Sequence, residues 1–277
     1  MSTIYHYCDI NAFFNILTHK KLWVSSSNNM NDYKEIDWFI EKVFVGLRNI
    51  LNEENQETIN NFWELAQLNR PMPYITCFSK DGDSLSQWRA YADNGTGVCI
   101  GFDREKFNIK NPFPHLTANH GYSDNLGLND VVYDMSQQKN AIDHIIQVVN
   151  STTGMSKEQS ASQHLEAVMF LNRMSYISKN PSFAEEKEVR IIHTPLITGD
   201  HKNNGSKFYG NVSDVKYRVS GAKLVSYFEF DFSEHVELIN EIVLGPKCEI
   251  SNFDIDMFIS TSGLGKVPFR FSAASYR

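Results

Sequence analysis

Three polar clusters interrupt stretches that otherwise read as core: Tyr5-His6-Tyr7, residues 84–91 with Gln87, Trp88 and Tyr91, and Glu185-Glu186-Lys187-Glu188-Val189-Arg190. In an extended segment side chains alternate, so Glu186, Glu188 and Arg190 share one face while Val189, Ile191 and His193 share the other. Two carboxylates and a guanidinium then line one surface, as a functional site or as a structural Glu188–Arg190 ion pair on a partly exposed strand. Asp81, Asp83, Glu186 and Glu188 would supply metal ligands to a nuclease-like or other phosphoryl-processing enzyme, but no spacing among them is diagnostic. His6 reads equally as a ligand-binding group or a satisfied core or edge histidine. Trp88 and Tyr91, three apart on a helix, serve as packing residues or as a stacking platform.

Several chemistries are absent. The sequence contains no GxxxxGK loop, GxGxxG fingerprint, GxSxG elbow or HExxH pair, which argues against an ordinary ATPase, dehydrogenase, serine hydrolase or zinc protease. Cys8, Cys77, Cys99 and Cys248 form no CxxC pair and read as reduced core thiols rather than a zinc site or disulfide framework. A net charge of −7 disfavours non-specific nucleic-acid binding driven by counterion release. Hydrophobic residues at 42% and aromatics at 13% are globular rather than disordered composition. The start Met1-Ser2-Thr3-Ile4-Tyr5 has no basic n-region and apolar h-region, and no apolar run reaches the roughly 20 residues of a spanning helix. The expectation is a cytoplasmic protein with no membrane partner.

The elements that must position the clusters follow from periodicity. A short strand is predicted over 4–7, then a helix capped by Asp9 with Ile10, Phe13, Phe14 and Leu17 at helical spacing, then an extended piece over 22–25. The polar loop 26–31 is a candidate wall of a site. Asp32 and Glu35 form a capping-box pattern ahead of a long amphipathic helix bearing Ile36, Phe39, Ile40, Val43, Phe44, Leu47, Ile50 and Leu51. A helix over 54–68 and a strand over 74–78 lead to the turn Asp81-Gly82-Asp83, and Ser84 with Gln87 repeats the capping-box pattern before Trp88 and Tyr91. A strand over 98–102 follows Asn94-Gly95-Thr96-Gly97, residues 108–129 read as irregular, and 131–133 as a strand. Helices are predicted over 137–149 and from the cap Ser156 to about 178, as an insertion over about 136–178. Beyond 188 the character is mostly β, with strands at 188–193, 217–219, 223–232, 241–244 and 269–271 and a helix over 252–259. Helices first and strands later indicate an α+β fold, a single domain over 1–277 with mixed or antiparallel sheets flanked by helices.

Tyr5-His6-Tyr7, Asn31-Asp32-Tyr33-Lys34-Glu35, Cys77-Phe78-Ser79, Gln87-Trp88-Arg89-Ala90-Tyr91-Ala92, Gly97-Val98-Cys99-Ile100-Gly101-Phe102, Glu186-Lys187-Glu188-Val189-Arg190 and Leu244-Gly245-Pro246 together resemble the bacterial family catalogued as domain of unknown function 2971. More distantly, His6, Tyr91 and Glu188 fall in the order of the histidine–tyrosine–glutamate branch of the ADP-ribosyltransferase superfamily. That resemblance implies a split sheet, NAD as substrate, and either ADP-ribosyl transfer or NAD glycohydrolysis, in a toxin or phage-defence effector by analogy.

By the same resemblance His6 would bond a ribose, Tyr91 with Trp88 would pack on the nicotinamide, and Glu188 would hold the nicotinamide-ribose hydroxyl, with Glu186 orienting an acceptor. Tyr7 and Ser79 belong to the implied NAD-binding set, and Arg190 or Arg89 would hold the pyrophosphate through a bidentate guanidinium. Cleaving the glycosidic bond builds positive charge on the ribose, which a fixed carboxylate stabilises in the transition state. No metal is required. The acceptor, whether protein, nucleic acid or water, stays open, as does the alternative of a non-catalytic nucleotide-sensing or interaction domain.

Overall fold

Asp9 begins the first helix as its sequence requires: its carboxylate accepts the amide of Ala12 at 2.7 Å, and Lys20 ends the helix in the left-handed region at φ 55°. This helix, α1 (Ile10–His19), joins strand β1 (Thr3–Cys8) to strand β2 (Lys21–Ser26) and buries Phe13, Ile16 and Leu17. The computed structural model describes residues 2–29, 34–50, 55–70, 72–114, 126–195, 197–198, 207–208 and 212–274. The chain divides into two compact units, one of Met1–Ser26, Tyr74–Asp130 and Glu185–Arg277, the other of Ser27–Pro73 and Val131–Ala184.

The first unit is built on a ten-stranded sheet among the described residues. Its further strands are β3 (Tyr74–Ser79), β4 (Val98–Asp103), β5 (Leu126–Asp130), β6 (Glu188–His193), β9 (Lys216–Ser220), β10 (Lys223–Asp231), β11 (Ile239–Leu244) and β12 (Phe269–Phe271), while β7 (Ile197–Thr198) and β8 (Lys207–Phe208) pair separately. The order is β12-β11-β4-β1-β3-β2-β10-β9, with β6 along the other edge of β3 and β5 beyond it. Among the described residues every strand pairing is antiparallel except β11 with β12. One face carries the main apolar core, in which Ile4, Phe78, Phe102, Val189, Ile191, Phe228 and Phe230 meet α1 and the last helix, α7 (Asn252–Thr261). On the other face the short helix α4 (Leu85–Tyr91) sets Trp88 against Tyr7, Cys99 and Val243.

The strands β1 and β2 occupy the same edge of β3 at its two ends. β1 pairs at Tyr5 with Ser79, and β2 pairs at Ser25 with Ile75 and Ser26 with Tyr74. Between these points the strands part, and side chains bond main-chain carbonyls there: the Thr76 hydroxyl donates to Trp23 O at 2.8 Å, and His6 Nδ1 lies 3.0 Å from Cys77 O.

The second unit is helical: α2 (Lys34–Ile50), α3 (Gln56–Leu68), α5 (Met135–Ser151) and α6 (Lys157–Ile177). The 3.6-residue period read from the sequence puts Phe39, Val43 and Leu47 of α2 in one core with Phe62, Ile145, Val149, Val168 and Leu171. Ser156 forms a reciprocal capping box with Gln159. Helices from two separate stretches thus build this unit, where the sequence reading placed an insertion over about 136–178.

Four local expectations differ from what is observed. Ser84 starts α4 but makes no side-chain cap, because its amide binds Tyr7 Oη at 2.9 Å and its hydroxyl faces Ser86 at 3.0 Å. Residues 126–130, read as irregular, form β5, and Gly127 permits it because an added Cβ would stand 2.5 Å from Pro112 O. Of residues 131–133 only Val132 pairs, in an isolated bridge to Ser178. Glu186 lies outside strand β6, in a 3₁₀ turn over Pro181–Glu186, since Lys187 at φ 47° breaks the extended run. Asp32 of the expected capping box, with Asn31 and Tyr33, lies outside the described residues.

Candidate functional site

Strand register decides which nominated residues can meet. Antiparallel partners directly opposite project to the same face, so Glu188, Ser79 and Tyr5 form one row across β6, β3 and β1, and Glu241 extends it on β11 through Gly101. Tyr7 follows Tyr5 on that face by alternation, and Trp88 packs edge-on against it at 4.8 Å. His6 points to the opposite face, where its ring lies 5.7 Å from Phe78. The structure therefore brings Tyr7, Ser79, Trp88, Glu188 and Arg190 to one face and separates His6 from them.

Most polar groups on the Glu188 face are engaged with each other. Arg190 donates from Nε to Glu188 Oε1 at 2.7 Å and from Nη2 to Oε2 at 2.9 Å, with the side chains 1% and 7% exposed. The Ser79 hydroxyl donates to Glu186 O at 2.7 Å and accepts the Asp81 amide at 3.1 Å, while Lys187 reaches the Asp81 carboxylate at 3.1 Å. Tyr7 Oη donates to Asp81 O at 2.8 Å, which with the Ser84 amide fixes the turn before α4. Asp83 accepts Trp88 Nε1 at 2.8 Å, the amide of Ala273 at 2.7 Å and the Ser272 hydroxyl, with Arg270 at 3.6 Å. Burial alone would raise the Asp83 carboxyl, but these donors and Arg270 outweigh it and hold it below the usual carboxylate range. Tyr5 Oη donates to Glu241 at 2.7 Å, and burial, then this bond, pushes its phenol up to about 12. Tyr91 stands 41% exposed at the end of α4.

Through these bonds Tyr7, Ser79 and Trp88 build the turn 79–84, and Asp83 fastens the segment after β12 to it. Among the described residues no group of three or more His, Cys, Asp or Glu side chains could hold a metal ion.

Where β1 and β2 part, a cavity of about 610 Å³ opens, within the range of small-molecule sites. His6, Lys21, Trp23, Arg218 and Glu229 line it, with Asn11, Asn15 and His19 from α1. His6 is the nominated residue in this lining. A carbonyl oxygen only accepts, so the bond to Cys77 O puts the proton on Nδ1 and leaves Nε2 of the neutral ring as an acceptor. Burial, partly opposed by that bond, lowers the imidazole pKa and favours this neutral form. Asn11, Asn15 and His19 recur every four residues, so they form a polar stripe about 12 Å long at 1.5 Å per residue.

Opposite α1, the pairings Glu229–Trp23, Tyr227–Ser25 and Asp231–Lys21 set these side chains on one face of β2 and β10, joined from β9 by Lys216 and Arg218. Glu229 accepts Lys21 at 2.9 Å and Lys216 at 2.8 Å, and burial of its carboxyl is outweighed by the two lysines, which lower its pKa. The Arg218 guanidinium lies over the Trp23 ring at 5.1 Å, and Tyr227 flanks that indole at 4.7 Å. Sequence reasoning passed over Trp23, Lys21 and Arg218. The available signal was the alternation Lys21-Leu22-Trp23-Val24, which sets a lysine and a tryptophan on the face away from the core.

An α+β chain with a large, mostly antiparallel sheet and a cavity beside its first strand is what these observations define. Residues 87–191 match the family described as protein of unknown function (DUF2971), so the resemblance read from the motifs holds over that stretch. The stretch contains Trp88, Tyr91, Glu188 and Arg190, and the cavity-lining residues lie outside it. No curated protein and no solved structure matches the chain. No helix of the described residues is long and apolar enough to cross a membrane.

Proposed function

We propose that this chain recognises a nucleotide of the NAD class and that the ligand lies in the cavity beside His6. The observation that carries this reading is the combination lining one cavity: a neutral histidine with an acceptor nitrogen, an arginine and a lysine, and a tryptophan. A ribose hydroxyl donates to such a nitrogen, and phosphates are held by such cations. Glu188 is engaged by Arg190 through two bonds and does not line this cavity, which favours recognition over turnover as the role of this pocket.

Calorimetric titration with NAD is expected to give one site per chain, weakened about tenfold or more by His6→Ala and unchanged by Glu188→Gln after correction for unfolded protein. Absence of NAD binding to the folded wild-type chain would end this reading.

A second reading keeps the NAD-cleaving transferase or glycohydrolase, with its toxin or phage-defence role. In its favour, Glu188, Ser79, Tyr7 and Trp88 do share a face. It requires nicotinamide release that disappears in Glu188→Gln while the variant stays folded. That result would replace recognition by catalysis.

A further inference from the structure

Among the charged groups of the cavity, Arg218 differs in having no carboxylate. Glu229 already takes Lys21 and Lys216, and among the described residues Arg218 has no ion-pair partner. Its Nε is buried without a hydrogen-bond partner. A buried donor left this way is costly in a finished site and is explained where a ligand supplies the acceptor.

The guanidinium is also held in place. It lies over the Trp23 indole, which is flanked in turn by Tyr227, and the backbone register Glu229–Trp23 and Val225–Arg218 fixes both on one face. A guanidinium resting over an aromatic ring can still present N–H groups to a phosphate or carboxylate, which accepts two of them. Trp23 is 42% exposed and itself lines the cavity.

We propose that Arg218 is the oxyanion receptor of this cavity, that Trp23 is the residue that positions it, and that the ligand is held chiefly through a phosphate group. The inference rests on the nucleotide reading for the location of the ligand, and it names the part of the ligand that is recognised. The pyrophosphate is bound by Arg218 and not by Arg190, whose guanidinium is forked onto Glu188. The nucleoside portions of the nucleotide contribute less.

The test is calorimetry with inorganic pyrophosphate, NAD and nicotinamide riboside on the wild-type chain, Arg218→Gln, Arg218→Lys, Trp23→Phe and Trp23→Leu, each checked by thermal melting. Pyrophosphate is expected to bind and to compete with NAD, and nicotinamide riboside to bind at least about tenfold more weakly than NAD. Arg218→Gln should lose about tenfold or more, and Arg218→Lys should recover only part of that, since an ammonium keeps the charge but not the fork. Trp23→Leu should weaken pyrophosphate several-fold with every charge intact, and Trp23→Phe should restore it.

Unchanged pyrophosphate binding in both Arg218 variants overturns the receptor, and unchanged binding in Trp23→Leu overturns the positioning role. If NAD binds but pyrophosphate neither binds nor competes, the receptor falls while the nucleotide reading stands. If pyrophosphate binds through Arg218 but NAD does not, the nucleotide reading falls and the receptor stands.

Discussion

Replacing Glu188 by Gln separates a structural carboxylate from a reacting one. Glu188 and Arg190 are two residues apart on β6, nearly inaccessible, and joined by two bonds at 2.7 and 2.9 Å. Removing one member of a buried pair costs about 3–5 kcal/mol, because the surviving charge stays in a poorly polarisable environment. Gln retains an acceptor, so the lower end, about 3 kcal/mol, is the expected loss for Glu188→Gln. For a chain of this size each kcal/mol lowers the melting temperature by about 2–4 °C, giving a fall of roughly 6–12 °C. The double variant Glu188→Leu with Arg190→Met, which removes both charges, should recover most of it. Differential scanning calorimetry of Glu188→Leu, Arg190→Met and the double variant completes a cycle in which strong coupling is expected. A Glu188→Gln chain that melts within a degree of wild type while losing nicotinamide release would refute this reasoning and identify Glu188 as a reacting group.

Three further outcomes follow from the geometry. Asp83→Asn should release the C-terminal segment from α4 at a cost of about 2 kcal/mol, read as faster hydrogen exchange at Ala273; since its folded pKa is depressed, the wild-type contribution is present above the ordinary carboxylate range and lost as pH falls through the folded value. The His6 pKa is also lowered, so the neutral ring's contribution is full above about 6.5 and declines as pH falls below it towards the folded value. His6→Asn, which keeps a donor for Cys77 O, should flatten that part of the pH–melting curve. Gly97→Ala should destabilise at the upper end of about 1–3 kcal/mol by chemical denaturation, because the new Cβ would fall on the carbonyl oxygens of Cys8 and Ala92, which are main-chain atoms and cannot rotate away.

Local structure was legible wherever one period dominated. The strand 188–193 and the C-terminal strand 269–271 emerge at the limits expected, and Asp9 and Ser156 cap the helices their side chains suit. The errors share a cause. Lys187 takes a left-handed conformation that nothing in a lysine advertises, and this removes Glu186 from the face it would have shared with Glu188. Ser84 carries the residues of a capping box, but the hydroxyl of Tyr7, 77 positions away, binds its amide first. Pairings over such separations are decided by tertiary packing, to which a local pattern is blind.

The candidate site was harder to read because its position depends on where strands separate. His6 and Glu188 each sit on a strand as expected, yet the sheet turns one to each face, and only the register Tyr5–Ser79–Glu188 reveals it. A sequence orders the residues of a triad but does not carry the parity of their strands. The cavity depends on the same register: β1 and β2 each use one end of β3, so the His6 ring is drawn to a carbonyl that a fully paired sheet would have covered. Shifting β1 by one residue would exchange Tyr5 and Tyr7 for His6, burying two phenols in the main core and opening the α4 face to an imidazole. The aromatic pair around His6 therefore fixes the register of the strand, and that register is what delivers the histidine to the cavity.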